Sequence, residues 1–260
     1  MTLEVLIGTI IFIFGLVFGS FYNVVGYRLP NNMSLIYPNS HCPKCNHELK
    51  FYELVPVLSY IFLGGKCKKC KDKISIKYPI FELLTGILFL LSYIVFGLNI
   101  KFFIAITFIS VLIVITISDI ESYIIPDEVL ITGVILIIIE LIIKMRLENL
   151  NVLNGLIYPV LNGIASFTLL YLFKLFGDKV FKKESLGGGD IKLLFVIGLV
   201  LGFDMSIATV FLASFIALPL SIVSLIKNDN NIIPFGPYLS LASVIILLLE
   251  LSIDKILMFI

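Results

Sequence analysis

The sequence is short of charge. Of its 260 residues only 14% are Asp, Glu, Lys or Arg, while 59% are hydrophobic, and the mean hydropathy is +1.09. A soluble globular domain carries about 25% charged residues, so this composition excludes that class and points to an integral membrane protein. The net charge of +1 offers no basis for a nucleic-acid partner. The opening MTLEVLIGTI has no basic start, and no small-residue cleavage site follows it, so it reads as a retained first span and not as a removable signal. Internal repeats and low-complexity linkers are not evident. Cysteine is confined to four positions in one loop, which leaves none over for an open catalytic metal position unless His41 or His47 replaces one.

Long apolar runs are what the chain has in abundance. A helix needs about 20 apolar residues to cross a bilayer core, and such runs occupy 3–27, 79–97, 101–119, 128–144, 154–176, 190–203, 205–226 and 237–258. The expected fold class is an all-α integral membrane protein, a bundle of about eight transmembrane helices with a small zinc-stabilised cytoplasmic subdomain. Basic residues cluster between Arg28 and Lys77, and again at Lys174, Lys179, Lys182 and Lys183. The positive-inside rule places both loops in the cytoplasm. Both termini and the 145–153 loop then fall outside, while 119–127 and 227–236 fall inside.

Three divisions follow: residues 1–27 as the first span, 28–78 as the cytoplasmic subdomain, and 79–260 as one helical bundle. About fifty residues rarely bury enough core to fold unaided. This loop holds Cys42 and Cys45 in HCPKCNHE, and Cys67 and Cys70 in GKCKKCKD. Two such pairs supply four thiolates for a tetrahedral structural zinc. A reducing cytoplasmic location argues against disulfides.

Acids within apolar spans are costly, by roughly 2.5–3.5 kcal/mol at a helix centre on insertion scales, so each calls for a reason. Glu140 is expected to pair with Lys144 one turn on, and Glu250 and Asp254 to be solvated at a boundary. Asp127, directly after Pro126, reads as a first-turn acid held by the helix dipole. Asp119 closes an apolar helix, where the dipole disfavours an anion. Asp190 opens another in GGGDIK. The topology brings Asp119 and Asp190 to one membrane face, where two carboxylates in a partly dry site share a proton and can activate water. Asp190 is equally well read as a helix cap. Gly187, Gly188 and Gly189 remove side chains over three positions, which suits clearance for an extended substrate backbone. Lys192 is expected to meet lipid headgroups.

Six segments together resemble the type IV prepilin peptidases, nearly end to end: GSFYNVVGYRLP at 19–30, the twin cysteine pairs, YPIFELLTG at 78–86, SDIESYIIPD at 118–127, GGGDIK at 187–192 and PFGPYL at 234–239. The resemblance implies a bifunctional enzyme of the bacterial inner membrane. It would cleave the short basic leader of prepilins or pseudopilins at the cytoplasmic face, with no metal needed for that step. It would then methylate the new N-terminal amine with S-adenosylmethionine. Carried over by position, Asp119 and Asp190 are the catalytic pair, and Asp127 with the glycine triplet contacts substrate. The methyl-transfer function falls on 1–86, with Glu82, Gly86, Asn23 and Arg28 as residues for the methyl donor. The alternatives are a peptidase without methyl transfer, or a nonenzymatic transporter using the same acids.

Overall fold

Three helices open at a proline and two close at a glycine, as expected when a residue without an N–H starts a helix and one free of Cβ strain ends it. In the computed structural model, which describes residues 2–182, 186–226 and 233–251, α1 spans Thr2–Arg28 and a short α2 spans Leu58–Phe62. Next come α3 (Lys77–Phe96), α4 (Ile100–Ser122) and α5 (Asp127–Leu147). They are followed by α6 (Tyr158–Phe181), α7 (Gly188–Leu201), α8 (Phe203–Ile226) and α9 (Gly236–Leu248). Pro126 caps α5, and prolines sit in the first turns of α6 and α9. Gly97 ends α3 at φ 66°, and Gly202 ends α7 at φ 88°. Asn99 caps α4, its side chain accepting from the amides of Lys101 and Phe102.

The eight apolar runs thus become eight helices, α1 and α3 to α9. Five are long and apolar enough to cross a membrane, namely Leu3–Arg28, Lys77–Phe96, Ile100–Ser122, Leu153–Val180 and Phe203–Val223, and Gly236–Leu248 is shorter and apolar. No strand occurs among the described residues. Lys183 and Asp254 lie outside those residues, as does most of the 227–236 loop.

The chain forms two compact units, Met1–Leu98 and Asn99–Ile260, whereas the reading from sequence divided it at 78/79. The reason lies in α1. A methyl placed on Gly15 would lie 2.7 Å from Gly86 Cα, and one on Gly19 would lie 2.8 Å from Glu82 Cα. The GLVFG stretch is therefore a small-xxx-small face on which the α3 backbone rests, and α3 belongs with α1.

The second unit is built around α4 and α7. Thirteen residues of α4 are buried, and α7 buries Leu193, Leu194, Val196, Ile197 and Leu199 as well as Asp190 and Ile191 of its first turn. A helix apolar on all sides belongs inside a bundle, and α7 packs against α4, α5, α6, α8 and α9. At 14 residues it is about 21 Å long, short of a bilayer core of about 30 Å. Its polar start is therefore held among neighbouring helices.

Candidate active site and metal centre

In the first unit the loop between α1 and α3 contains two copies of one knuckle, on either side of α2. His41 bridges Glu48, and Lys66 bridges Lys73. The Cys42 amide donates to His47 and the Asn46 amide to Cys42; 25 residues on, the Cys67 amide donates to Asp72 and the Lys71 amide to Cys67. Asn46 and Lys71 take matching positive φ values of 52° and 62°. The sequence reading found no internal repeat. The repeat is one of backbone geometry, and HCPKCNHE and KCKKCKDK share little beyond the cysteines.

The four sulfurs of Cys42, Cys45, Cys67 and Cys70 lie within 4.8 Å of one another. Cys42 Sγ is 3.8 Å from Cys70 Sγ, and Cys45 Sγ is 3.9 Å from Cys67 Sγ. All four cysteines are free. A zinc ion with Zn–S bonds of about 2.3 Å holds its sulfurs about 3.8 Å apart, so the cluster fits a tetrahedral ion. The amides of Cys70 and Lys69 bring the Cys67 thiol down to about 6, as suits a thiolate ligand. Neither histidine faces the sulfurs. His41 Nδ1 meets the Asn39 carbonyl, and His47 Nε2 lies 3.2 Å from the buried Glu53 carboxylate. The Lys50 amide and then His47 hold Glu53 below the usual carboxylate range.

The residues assigned to the methyl donor are buried and turned inward. Asn23 Nδ2 donates to the Gly19 and Tyr78 carbonyls, at 3.1 and 3.2 Å. Arg28 ties down the following loop, donating to the carbonyls of Ser34, Leu35 and Pro38. Glu82 Oε2 accepts the Val57 amide at 2.7 Å. Gly86 faces Leu16 and Phe12, each 2.9 Å from where its Cβ would be. All four are thus engaged with neighbouring parts of the first unit.

In the second unit, Asp119 and Asp190 are only 6% and 9% exposed, and Asp119 lies near enough for its charge to act on Asp190. Asp119 sits in the last turn of α4, where Tyr123 turns left-handed and its amide returns to the Asp119 carbonyl. The Ser118 hydroxyl donates to the Ile124 carbonyl, pinning the exit. Asp119 Oδ2 accepts the Gly236 amide at 2.9 Å, across 117 residues of sequence. Asp190 is the third residue of α7. The cap is Gly187, which makes no side-chain hydrogen bond, so Asp190 is not the N-cap that its position in the motif suggested.

Ile125 is the hinge of this arrangement. A Cβ on Gly189 would lie 2.8 Å from Ile125 Cβ, and one on Gly236 would lie 3.4 Å from Ile125 Cδ1 and 2.7 Å from Asp119 Oδ2. The glycine triplet is thus not uniform. Gly189 admits Ile125 of the same chain, whereas Gly188 has open space around it.

Two expectations change. Lys192 reaches Asp127, with Nζ 2.7 and 2.8 Å from its two oxygens. The pair joins the starts of α5 and α7, so Lys192 has a protein partner in place of the expected headgroups. Glu140 turns toward α4 and accepts from Thr107 Oγ1 at 2.6 Å, in place of Lys144, because its side chain is on the packed face. Sequence reasoning missed Ile125 and Gly236 as parts of the site, although both lie in segments it had singled out. It also missed the Gly15/Gly19 face, which the GLVFG spacing announces.

Residues 13–96 match the family described as Bacterial Peptidase A24 N-terminal domain, and residues 106–222 match the Type IV leader peptidase family. The chain is similar to a protein of Bacillus subtilis named prepilin leader peptidase/N-methyltransferase, 36% identical over 240 residues, covering 91% of this chain and 92% of that one. Proteins of the same name from Pseudomonas aeruginosa and Neisseria gonorrhoeae are 32% identical over 262 residues and 31% over 271. Each alignment covers 90% of this chain and 87% of the relative. No solved structure matches the chain.

Proposed function

Since this chain belongs to the type IV leader peptidase family, we propose that it is a bifunctional membrane enzyme that removes the leader of prepilins or pseudopilins and methylates the exposed amine. The observation that carries the reading is the burial of Asp119 and Asp190 within electrostatic range of each other at the edge of an apolar bundle. Carboxylates so placed share a proton, because two adjacent anions are unstable in a dry site. The unprotonated carboxylate takes a proton from water as the oxygen attacks the scissile carbonyl, and the shared proton passes to the departing amine. The Gly236 amide orients Asp119 for this. The open flank of Gly188 receives the substrate backbone, Gly187 leaves room for the Asp190 carboxylate, 2.9 Å from where its Cβ would be, and Asp127, paired with Lys192, borders that entrance.

The substrate is a prepilin with a basic leader, entering from the surrounding lipid. The distribution of lysine supports a cytoplasmic face for the active site and the cysteine loop in the bacterial inner membrane. Cys42, Cys45, Cys67 and Cys70 would hold a zinc ion whose role is to fold the loop. S-adenosylmethionine supplies the methyl group when bound. Asn23, Arg28, Glu82 and Gly86, each engaged within its own unit, are assigned to shaping the part of the protein in which methylation takes place.

The test is to incubate purified Asp119→Asn and Asp190→Asn variants with a candidate prepilin and labelled S-adenosylmethionine, following cleavage and methyl transfer separately. Both variants are expected to lose cleavage. Retention by either one removes that residue from the mechanism. Mass spectrometry of the cleaved N-terminus distinguishes the bifunctional enzyme from a peptidase alone, which leaves the amine unmethylated.

A further inference from the structure

The cysteine loop carries an apolar surface that water should not face. Phe51 is 87% exposed and Phe62 is 84% exposed, and Leu58 and Ile61 are exposed between them. Depth along α3 explains why. Glu82 stands five residues after Lys77, the start of α3, which is about 7.5 Å along the helix. Its carboxylate holds the Val57 amide at 2.7 Å. Val57 has φ 62° and ψ −50°, a conformation that a β-branched residue adopts only under constraint. The carboxylate therefore fixes the segment just before α2 beside the first turns of a membrane span.

Charge complements this apolar surface. The second knuckle follows α2 directly, and Tyr60 Oη of α2 donates to the Ile74 carbonyl at 3.5 Å. Lys68 reaches back to Tyr52, beside Phe51, with Nζ 2.8 Å from its hydroxyl and 4.6 Å from the ring centroid. Lys66, Lys69, Lys71 and Lys73 are exposed on the same knuckle. Aromatic and aliphatic side chains at the level of a helix entrance, next to a cluster of lysines, match the requirements of an anionic bilayer interface.

We propose that the segment from Phe51 to Phe62 lies in the headgroup and upper acyl region of the bilayer, and that the lysines of the second knuckle bind anionic phospholipid. The metal-binding loop is then a membrane-interface module, docked on lipid by its second half. Glu82 sets its depth.

The protein contains no tryptophan, so Phe51→Trp and Phe62→Trp each introduce a single fluorescent reporter into the full-length chain. Each variant is reconstituted in vesicles of phosphatidylcholine and phosphatidylglycerol. Phospholipid brominated near the headgroup end of the acyl chains is expected to quench most of the emission, while aqueous acrylamide quenches several-fold less than it does a free tryptophan amide. Brominated phosphatidylglycerol is expected to quench more than brominated phosphatidylcholine at equal mole fraction. Replacing Lys66, Lys69, Lys71 and Lys73 by Gln should abolish that difference. Full access to acrylamide overturns the proposal. Shielding that disappears on dilution, without quenching by lipid, assigns the surface to a second copy of the chain and overturns it equally. Equal quenching by the two brominated lipids in the reporter variants rejects the anionic preference.

Discussion

Asp119 and Asp190 were legible as residues because a carboxylate in an apolar run stands out against its background. Their surroundings were not, since a hydrogen bond from Gly236 across 117 residues leaves no local trace. That bond yields a sharp prediction. A methyl on Gly236 would lie 2.7 Å from Asp119 Oδ2, and φ at this residue is not among the positive values, so alanine is compatible with the backbone and collides only with the carboxylate. Displacing a reacting group by about 1 Å costs on the order of 100-fold in rate. Gly236→Ala is expected to reduce kcat/KM for prepilin cleavage by about that factor, with the thermal midpoint in detergent nearly unchanged. The parallel measurement of rate and midpoint checks it, because a folding defect would move both. Glu140 teaches the opposite lesson. Its i+4 lysine was visible and its true partner, Thr107, lies on another helix.

Helices were the most legible level, since runs of Leu, Ile and Phe between proline and glycine leave few other structures available in lipid. Even the shortness of α7 showed in the sequence. Which helices pair was less visible, because lipid-facing and helix-facing apolar residues look alike when both sides are hydrophobic. Small residues carry the missing information. Gly15 and Gly19 of α1 lie within van der Waals reach of Gly86 and Glu82 of α3, and Gly15→Leu would force the two backbones apart. Overpacking of this kind costs about 1–3 kcal/mol. The expected result is a lower unfolding midpoint and faster proteolysis within the 29–76 loop, whose ends the two helices hold. Limited digestion of the purified variant beside the parent protein measures it. An unchanged digestion rate would mean that the crossing contributes little.

At the scale of the whole molecule, the four cysteines predict one zinc per chain, measurable by elemental analysis, and its loss in Cys45→Ser. The pH dependence has a definite sign. Because the Cys70 and Lys69 amides lower the Cys67 thiol from 9.0 to about 6, the stability owed to its thiolate is complete above about 9 and is lost as the pH falls through about 6. Zinc uptake by the metal-stripped protein should weaken over that acidic range, since binding requires deprotonated ligands; a colorimetric zinc titration at several pH values tests it. By itself the sequence determined the membrane class and the eight helices, and it singled out the four cysteines and the two acids that the fold gathers, because composition, periodicity and rare residue types are local properties. Only the tertiary structure decided that α3 pairs with α1, that the cysteine loop is one knuckle used twice, that Asn23, Arg28 and Glu82 brace their own unit, and that Ile125 and Gly236 complete the acid site. Each of these depends on backbones approaching one another across long stretches of chain, where a missing side chain or a buried amide matters more than any residue's own chemistry.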